Sequence, residues 1–313
     1  MTTFTDAQIP ALTGRTIVVT GANSGIGRAA TGMLAAKGAH VVLAVRDLAK
    51  GRAAAATMTG DIDVQQLDLA DLASVRAFAE RFTEPIDVLI NNAGLMIPPL
   101  GRTADGFELQ FGTNHLGHFA LTNLLLPRIR GRVVTVSSTG HRTGTIDFDD
   151  LNWQRRRYRA FPAYSQSKLA NLLFTLELQH RLTEAGSPVI ATAAHPGLAA
   201  TNLLGHLENG QSPLRWLQTN LLRHLAQSEE AGALPVVYAA VADVPGGSYA
   251  GPSGFLESRG APKLVGRSGA ARDSALARRL WTASEELTGV TFPLTAASGE
   301  HTSGPPGHDR QIP

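Results

Sequence analysis

Short runs of β-branched and other apolar residues recur along the chain, separated by longer stretches in which apolar positions return every three or four residues. The runs Thr16–Thr20, His40–Val45, Val64–Leu69, Val88–Ile90, Arg132–Ser137 and Val189–Ala194 predict six strands. They alternate little between apolar and polar, as strands do when both faces of their sheet are covered. A helix is predicted from the glycine turn after the first strand to about Lys37, and further helices over Ser74–Phe82, Glu108–Leu126 and Tyr164–Leu182. Strand–helix alternation of this kind predicts an α/β fold: one doubly wound parallel sheet with helices on both faces.

Three segments leave that rhythm. His141–Pro162 has no clear period and holds Trp153, Arg155, Arg156, Arg157 and Arg159. A basic run of this kind is usually a solvated face. Leu198–Leu225 is rich in leucine and carries Trp216, a pattern that fits a core helix and a substrate-covering lid equally well. From Ala297 the chain turns to Ser, Gly, Pro and His, the composition of a disordered tail. No linker separates the rest, so the reading is one domain over 1–296 and a tail over 297–313.

Composition narrows the function classes. Of 313 residues, 43% are hydrophobic and 17% charged, enough apolar material for a large core. With no cysteine, disulfides, thiolate metal sites and cysteine nucleophiles are excluded. A net charge of +2 offers no electrostatic footprint for nucleic acid. No apolar run approaches the ~18 residues of a membrane span, and Met1–Pro10 lacks the basic and apolar parts of a signal peptide. A cytoplasmic location is expected.

The first strand leads into Gly21-Ala22-Asn23-Ser24-Gly25-Ile26-Gly27 and then a helix. Gly21 permits a tight turn, Gly25 a close backbone approach and Gly27 close helix–strand packing. The helix start presents free N–H groups and a positive dipole end to a pyrophosphate. At the end of the second strand, where an acid would hold the two hydroxyls of an adenosine ribose, stand Val45 and Arg46. An uncharged residue followed by a guanidinium favours a 2′-phosphate, and hence NADPH over NADH.

Tyr164 and Lys168 are spaced i, i+4, on one helix face. The chain has only four Tyr and four Lys, against 24 Arg, so a merely solvated cation at this position would more naturally be arginine. A nearby ammonium favours a phenolate, which fits a tyrosine acid–base. Ser137 and Ser138 end the fifth strand, at the carboxyl edge where ligands bind in open α/β sheets. His115 and His118 lie i, i+3 without a third ligand nearby, so no metal is expected.

The G-x-x-x-G-x-G spacing, the NNAG stretch and the YSQSK stretch together resemble the short-chain dehydrogenase/reductase family over roughly Leu12–Val290. TGANSGIG, NHLGHFALT and YSQSKLANLLFT look most like its retinol dehydrogenase, WW-domain oxidoreductase and protochlorophyllide reductase branch. The resemblance implies a Rossmann fold and a catalytic set of Asn114, Ser138, Tyr164 and Lys168. It places Asp68 and Leu69 at the adenine, Asn91, Ala93 and Gly94 along the cofactor, and Pro196, Gly197 and Thr201 at the nicotinamide carboxamide. Ser138 would polarise a carbonyl, Lys168 would orient the nicotinamide ribose, and Asn114 would bind a water linked to the lysine. The implied activity is NADP(H)-dependent hydride exchange with a carbonyl or alcohol carbon of an apolar small molecule, with homo-oligomers formed through the fourth and fifth helices of many relatives. Two alternatives remain open: reduction of a C=C bond, which in that branch uses a cysteine this chain lacks, and a cofactor-binding scaffold without turnover.

Overall fold

In the computed structural model, which describes residues 4–197 and 227–294, eight strands form one sheet in the order β3-β2-β1-β4-β5-β6-β7-β8. The strands are β1 (Thr16–Thr20), β2 (His40–Val45), β3 (Asp61–Gln66), β4 (Ile86–Asn91), β5 (Ile129–Val136), β6 (Ile190–Ala194), β7 (Tyr249–Pro252) and β8 (Pro262–Leu264). Neighbours pair in parallel from β3 to β7, and β8 closes the edge antiparallel to β7. The fold is therefore a doubly wound α/β sheet with one antiparallel edge hairpin, rather than the wholly parallel sheet of six strands that the sequence pattern predicts.

Alternate residues of each strand serve opposite layers, because successive side chains leave a sheet on opposite faces. Val18 joins a core cluster with Phe78, Phe119, Phe174 and Trp281, under helices α3 (Leu72–Arg81), α5 (Ala160–Glu184) and α7 (Ser274–Thr288). Its neighbours Ile17 and Val19 join Leu34, Val41, Leu43 and Val237, under α1 (Gly25–Ala36) and α6 (Glu229–Val241). Burial on both faces explains the unbroken apolar runs of the central strands. The edge strand β3 differs: its Asp-Ile-Asp-Val-Gln-Gln pattern alternates and is half exposed, so it starts three residues before the expected Val64 and ends before Leu67.

Two further helices bear on the site. The short helix α2 (Leu48–Ala55) follows β2 and is N-capped by Asp47, whose carboxylate accepts from the Lys50 N–H at 3.1 Å. Helix α4 is a continuous right-handed stretch made of Leu109–Phe111, a π-helical turn Gly112–Leu116, and Gly117–Leu125. A π turn inserts one extra residue and rotates the side chains that follow. Asn114 and His115 sit in that turn. Helix α5 begins four residues before the expected Tyr164, because Pro162 falls in its first turn, where no intrahelical N–H is needed.

Strand order reverses between β1 and β4, which creates a crevice at the carboxyl ends of the strands. The lid candidate 198–225, including Thr201, and the tail 297–313 lie outside the described residues.

Candidate active site

That crevice holds a cavity of about 420 Å³. Its walls come from the ends of the first six strands: Gly21 after β1, Arg46 after β2, Asp68 and Leu69 after β3, Ala93 and Gly94 after β4, Ser137 after β5, and Pro196 after β6. Tyr164 and Lys168 of α5 close its inner end.

The glycine turn is built for close approach. Gly21 has φ +65°, and a Cβ there would stand 2.8 Å from Ala93 Cα. Gly25 has φ +58° at the first position of α1. Ser24 N-caps that helix with no side-chain hydrogen bond, so the opening N–H groups face the cavity without a protein acceptor. A Cβ on Gly27 would collide with the Asn92 amide and with Gly21 O at 2.8 Å. Thr20 ties the two loops together. Its Oγ1 accepts from the Asn92 and Ala93 N–H groups, both at 3.0 Å, and lies 2.9 Å from His118 Nε2. Asn92 returns its side-chain amide to Thr20 O at 2.8 Å.

Within the NNAG stretch the tasks divide by register. Asn92, Ala93 and Gly94 line the cavity. Asn91, expected along the cofactor, points the other way: it is buried and donates to Thr122 Oγ1 at 2.8 Å. The last residue of a strand faces whichever layer its parity dictates, and here that layer is the core.

At the mouth, Arg46 is exposed and enters no ion pair among the described residues. Its neighbour Asp47 is committed elsewhere, capping α2 and lying 3.6 Å from Lys50 Nζ. Those same hydrogen bonds to the cap hold its carboxyl below the usual range. Arg46 is therefore free to meet an anion. Asp68 Oδ1 accepts from the Ala70 N–H at 2.9 Å, which shapes the turn after β3.

At the inner end, Ser138 N-caps the turn Thr139–Thr143 and accepts from the Gly140 N–H at 3.1 Å. Burial pushes the Tyr164 phenol pKa up, and the Ser138 hydroxyl against its oxygen pulls it back in part. Lys168 Nζ lies 5.7 Å from the Tyr164 ring centre and donates to Val136 O at 3.2 Å. Its complete burial lowers its pKa to about 8. The cation beside the tyrosine is thus a desolvated one, and burial is the largest influence on the phenol's acidity.

Asn114 acts as a brace. Its Oδ1 accepts from the Leu95 N–H at 2.7 Å, and its Nδ2 donates to Leu95 O at 3.0 Å and Ser167 Oγ at 2.9 Å. Its own carbonyl lies 3.1 Å from His118 Nδ1. The side chain therefore holds the loop after β4 rather than offering a free group to water. His118 and His115 are structural: burial keeps their pKa near 4 and 3, and His115 contacts Ser284 Oγ at 2.9 Å among aromatic rings. Leu95, Met96, Pro98 and Thr113 also line the cavity and were not anticipated. They lie in loop and π-turn positions, where no periodicity marks them.

The sequence profile described as short chain dehydrogenase matches residues 15–212. The chain belongs to the short-chain dehydrogenase family. Human retinol dehydrogenase 13 is 43% identical, with 92% of this chain and 87% of that protein covered. Mouse polyprenol dehydrogenase is 40% identical over 92% and 88% of the two chains. A crystal structure of an uncharacterized protein from Mycobacterium Paratuberculosis is 51% identical and superposes with a TM-score of 0.82, covering 94% of this chain and all of that one. The chain falls in the retinol dehydrogenase-like branch and is an NAD(P)-dependent dehydrogenase/reductase that transfers hydride to or from a small-molecule substrate.

Proposed function

We propose that this short-chain dehydrogenase uses NADP(H) and exchanges hydride with a carbonyl or carbinol carbon of a lipophilic substrate, Tyr164 serving as acid–base. The carrying observation is one cavity with unopposed Arg46 at its mouth and Tyr164 and Lys168 at its inner end, the Ser138 hydroxyl standing against the Tyr164 oxygen.

The residues present fit a dinucleotide. Glycines at 21 and 25 and the start of α1, where Ser24 makes no side-chain capping bond, leave donors and space for a pyrophosphate. Arg46 would hold a 2′-phosphate, and Asp68 with Leu69 would flank the adenine. When bound, the nicotinamide supplies or accepts the hydride. The Ser138 and Tyr164 hydroxyls would bind the carbonyl oxygen, and Tyr164 would give its proton to that oxygen as hydride arrives at carbon. In the reverse direction Tyr164 takes the alcohol proton. Buried Lys168 favours the phenolate whenever it is charged.

A lipophilic substrate is supported by the apolar wall of Leu95, Met96, Pro98 and Pro196 and by relatives named for retinol and polyprenol. A cytoplasmic location belongs to the same proposal; no described helix is long and apolar enough to cross a membrane.

Nicotinamide absorbance followed with NADPH and a panel running from small polar to long apolar aldehydes and ketones tests the reading. The long apolar carbonyls should show the highest kcat/KM. Highest values for sugars or hydroxy acids overturn the substrate class, and tight NADPH binding with no turnover across the panel identifies a scaffold instead.

A further inference from the structure

We propose that Glu257 is a positioning residue for the inner end of the cavity, one carboxylate bracing both the Pro196 wall and the Ser138 loop. The proposal rests on the reading of that cavity as a nicotinamide dinucleotide site.

After β7 the chain makes a tight turn, Phe255–Glu257, beyond the carboxyl edge of the sheet. Its tip faces solvent: Phe255 is 84% exposed and Leu256 77%. Leu256 and Glu257 nevertheless both adopt left-handed backbone, with φ 50° and 55°, a conformation that side chains with a Cβ seldom take in succession. Strain of this kind persists only where surrounding contacts enforce it. The contacts that do so here belong to the Glu257 carboxylate.

One oxygen accepts from Arg142 Nη2 at 2.9 Å. The other stands 3.1 Å from Nε2 of His195, whose ring is fully buried; the contact is close but not aligned as a hydrogen bond, and neither atom has a hydrogen-bond partner among the described residues. His195 Nδ1 accepts from the Gly197 N–H at 3.3 Å, so its proton resides on Nε2, facing the carboxylate. That closes the His195–Gly197 turn from which Pro196 lines the cavity. Ser258, the residue after Glu257, backs Gly197 so closely that its φ of +68° leaves no space for a Cβ.

The second arm runs through Arg142. Its neighbour His141 accepts from the Ser268 N–H at 3.2 Å through Nε2, so Nδ1 carries the proton and donates to Ser138 O at 2.6 Å. The Tyr249 ring packs against both imidazoles, with ring centres 5.7 Å from His141 and 5.2 Å from His195. These contacts run from the edge hairpin to the turn carrying Pro196 and, through the adjacent residues Arg142 and His141, to the backbone of Ser138. Glu257 touches no reacting atom; it sets where two walls stand.

The test uses the full chain with Glu257→Gln, Glu257→Gly and the surface control Phe255→Ser. The readouts are NADPH dissociation constants from nicotinamide fluorescence, melting without cofactor, and kcat and KM for a carbonyl that the wild type reduces. Glu257→Gly also relieves the left-handed backbone, so it should melt close to wild type. Its NADPH Kd should nonetheless rise at least ~5-fold, and kcat should fall ~10-fold at unchanged carbonyl KM. Glu257→Gln, which keeps the side chain's shape and an oxygen acceptor for Arg142 without the charge, should lie between, and Phe255→Ser should match wild type. Affinity and turnover within twofold of wild type in both Glu257 variants would overturn the proposal. So would losses that merely track the fraction unfolded. If the wild type binds NADPH but reduces no carbonyl, the functional reading fails while the affinities still decide the role of Glu257. A wild type that binds no nicotinamide dinucleotide overturns both.

Discussion

At the residue scale, the site depends on what burial does to two titratable groups. Replacing Tyr164 by Phe removes the proposed proton donor and leaves the packing of a buried ring intact; turnover should drop ~10²–10⁴-fold with cofactor affinity preserved, and near-normal turnover would remove Tyr164 from the mechanism. Lys168 is expected to cost stability in exchange for its proposed role beside Tyr164. Burial lowers its pKa from 10.5 to about 8, so between those values the unfolded chain binds more protons than the folded one. Wild-type stability should therefore rise with pH across that window, by up to about 1.4 kcal/mol per unit. Lys168→Met should lack this dependence and be the more stable protein at neutral pH while inactive; urea denaturation at pH 7 and pH 10 measures both. Arg46 is the proposed cofactor discriminator: one charge-assisted hydrogen bond contributes roughly 1.5–3 kcal/mol, so NADPH should bind at least ~10-fold tighter than NADH. Arg46→Ala should erase most of that difference, and equal wild-type affinities would show that the guanidinium meets no phosphate.

At the scale of elements, two of the three glycines of α1 have opposite requirements. Gly27 lies against Gly21 O and the Asn92 amide, whereas a Cβ at Gly32 would meet only Met58, at 3.8 Å. Gly27→Ala should destabilise by about 1–3 kcal/mol through forced displacement of the turn, and should weaken cofactor binding with it. Gly32→Ala should stabilise by about 0.5–1 kcal/mol, since alanine loses less backbone entropy in a helix interior. Thermal melts of the two variants settle the signs. The same helix explains why the glycine turn was legible in advance: its conformation follows from local backbone sterics, which the residues themselves specify. Asn91 and Asn92 are the opposite case. Two identical adjacent side chains are assigned to core and cavity by strand parity alone, and the residue types do not reveal which is which.

At the scale of the whole molecule, the layer behind the site is held by aromatic packing across distant segments. Trp281 of α7 stacks on Phe174, with ring centres 5.7 Å apart, and meets Phe119 edge-on at 4.9 Å. Trp281→Ala should cost about 3–5 kcal/mol in urea denaturation, with kcat per folded molecule unchanged because its aromatic neighbours Phe119, Phe174 and Phe292 do not line the cavity. Helix α7 itself carries a readable start and stop, Asp273 accepting from the Ala275 and Leu276 N–H groups and Gly289 at φ 62°. It went unpredicted because the strand–helix rhythm had ended before it.

The sequence by itself determined the doubly wound architecture, the glycine turn, the Tyr164–Lys168 pair on one helix face and the uncharged-then-cationic end of β2. Each of these follows from spacing within one element, where hydrophobic period, glycine sterics and helical geometry are local. Tertiary structure alone decided the antiparallel edge hairpin, the earlier register of β3, the bracing of Leu95 by Asn114 and the joining of His195, Arg142 and Glu257. Those features depend on groups far apart in the chain meeting at one place. Their energetics come from shared burial and from hydrogen bonds between separate elements, and no periodicity along the sequence records such meetings.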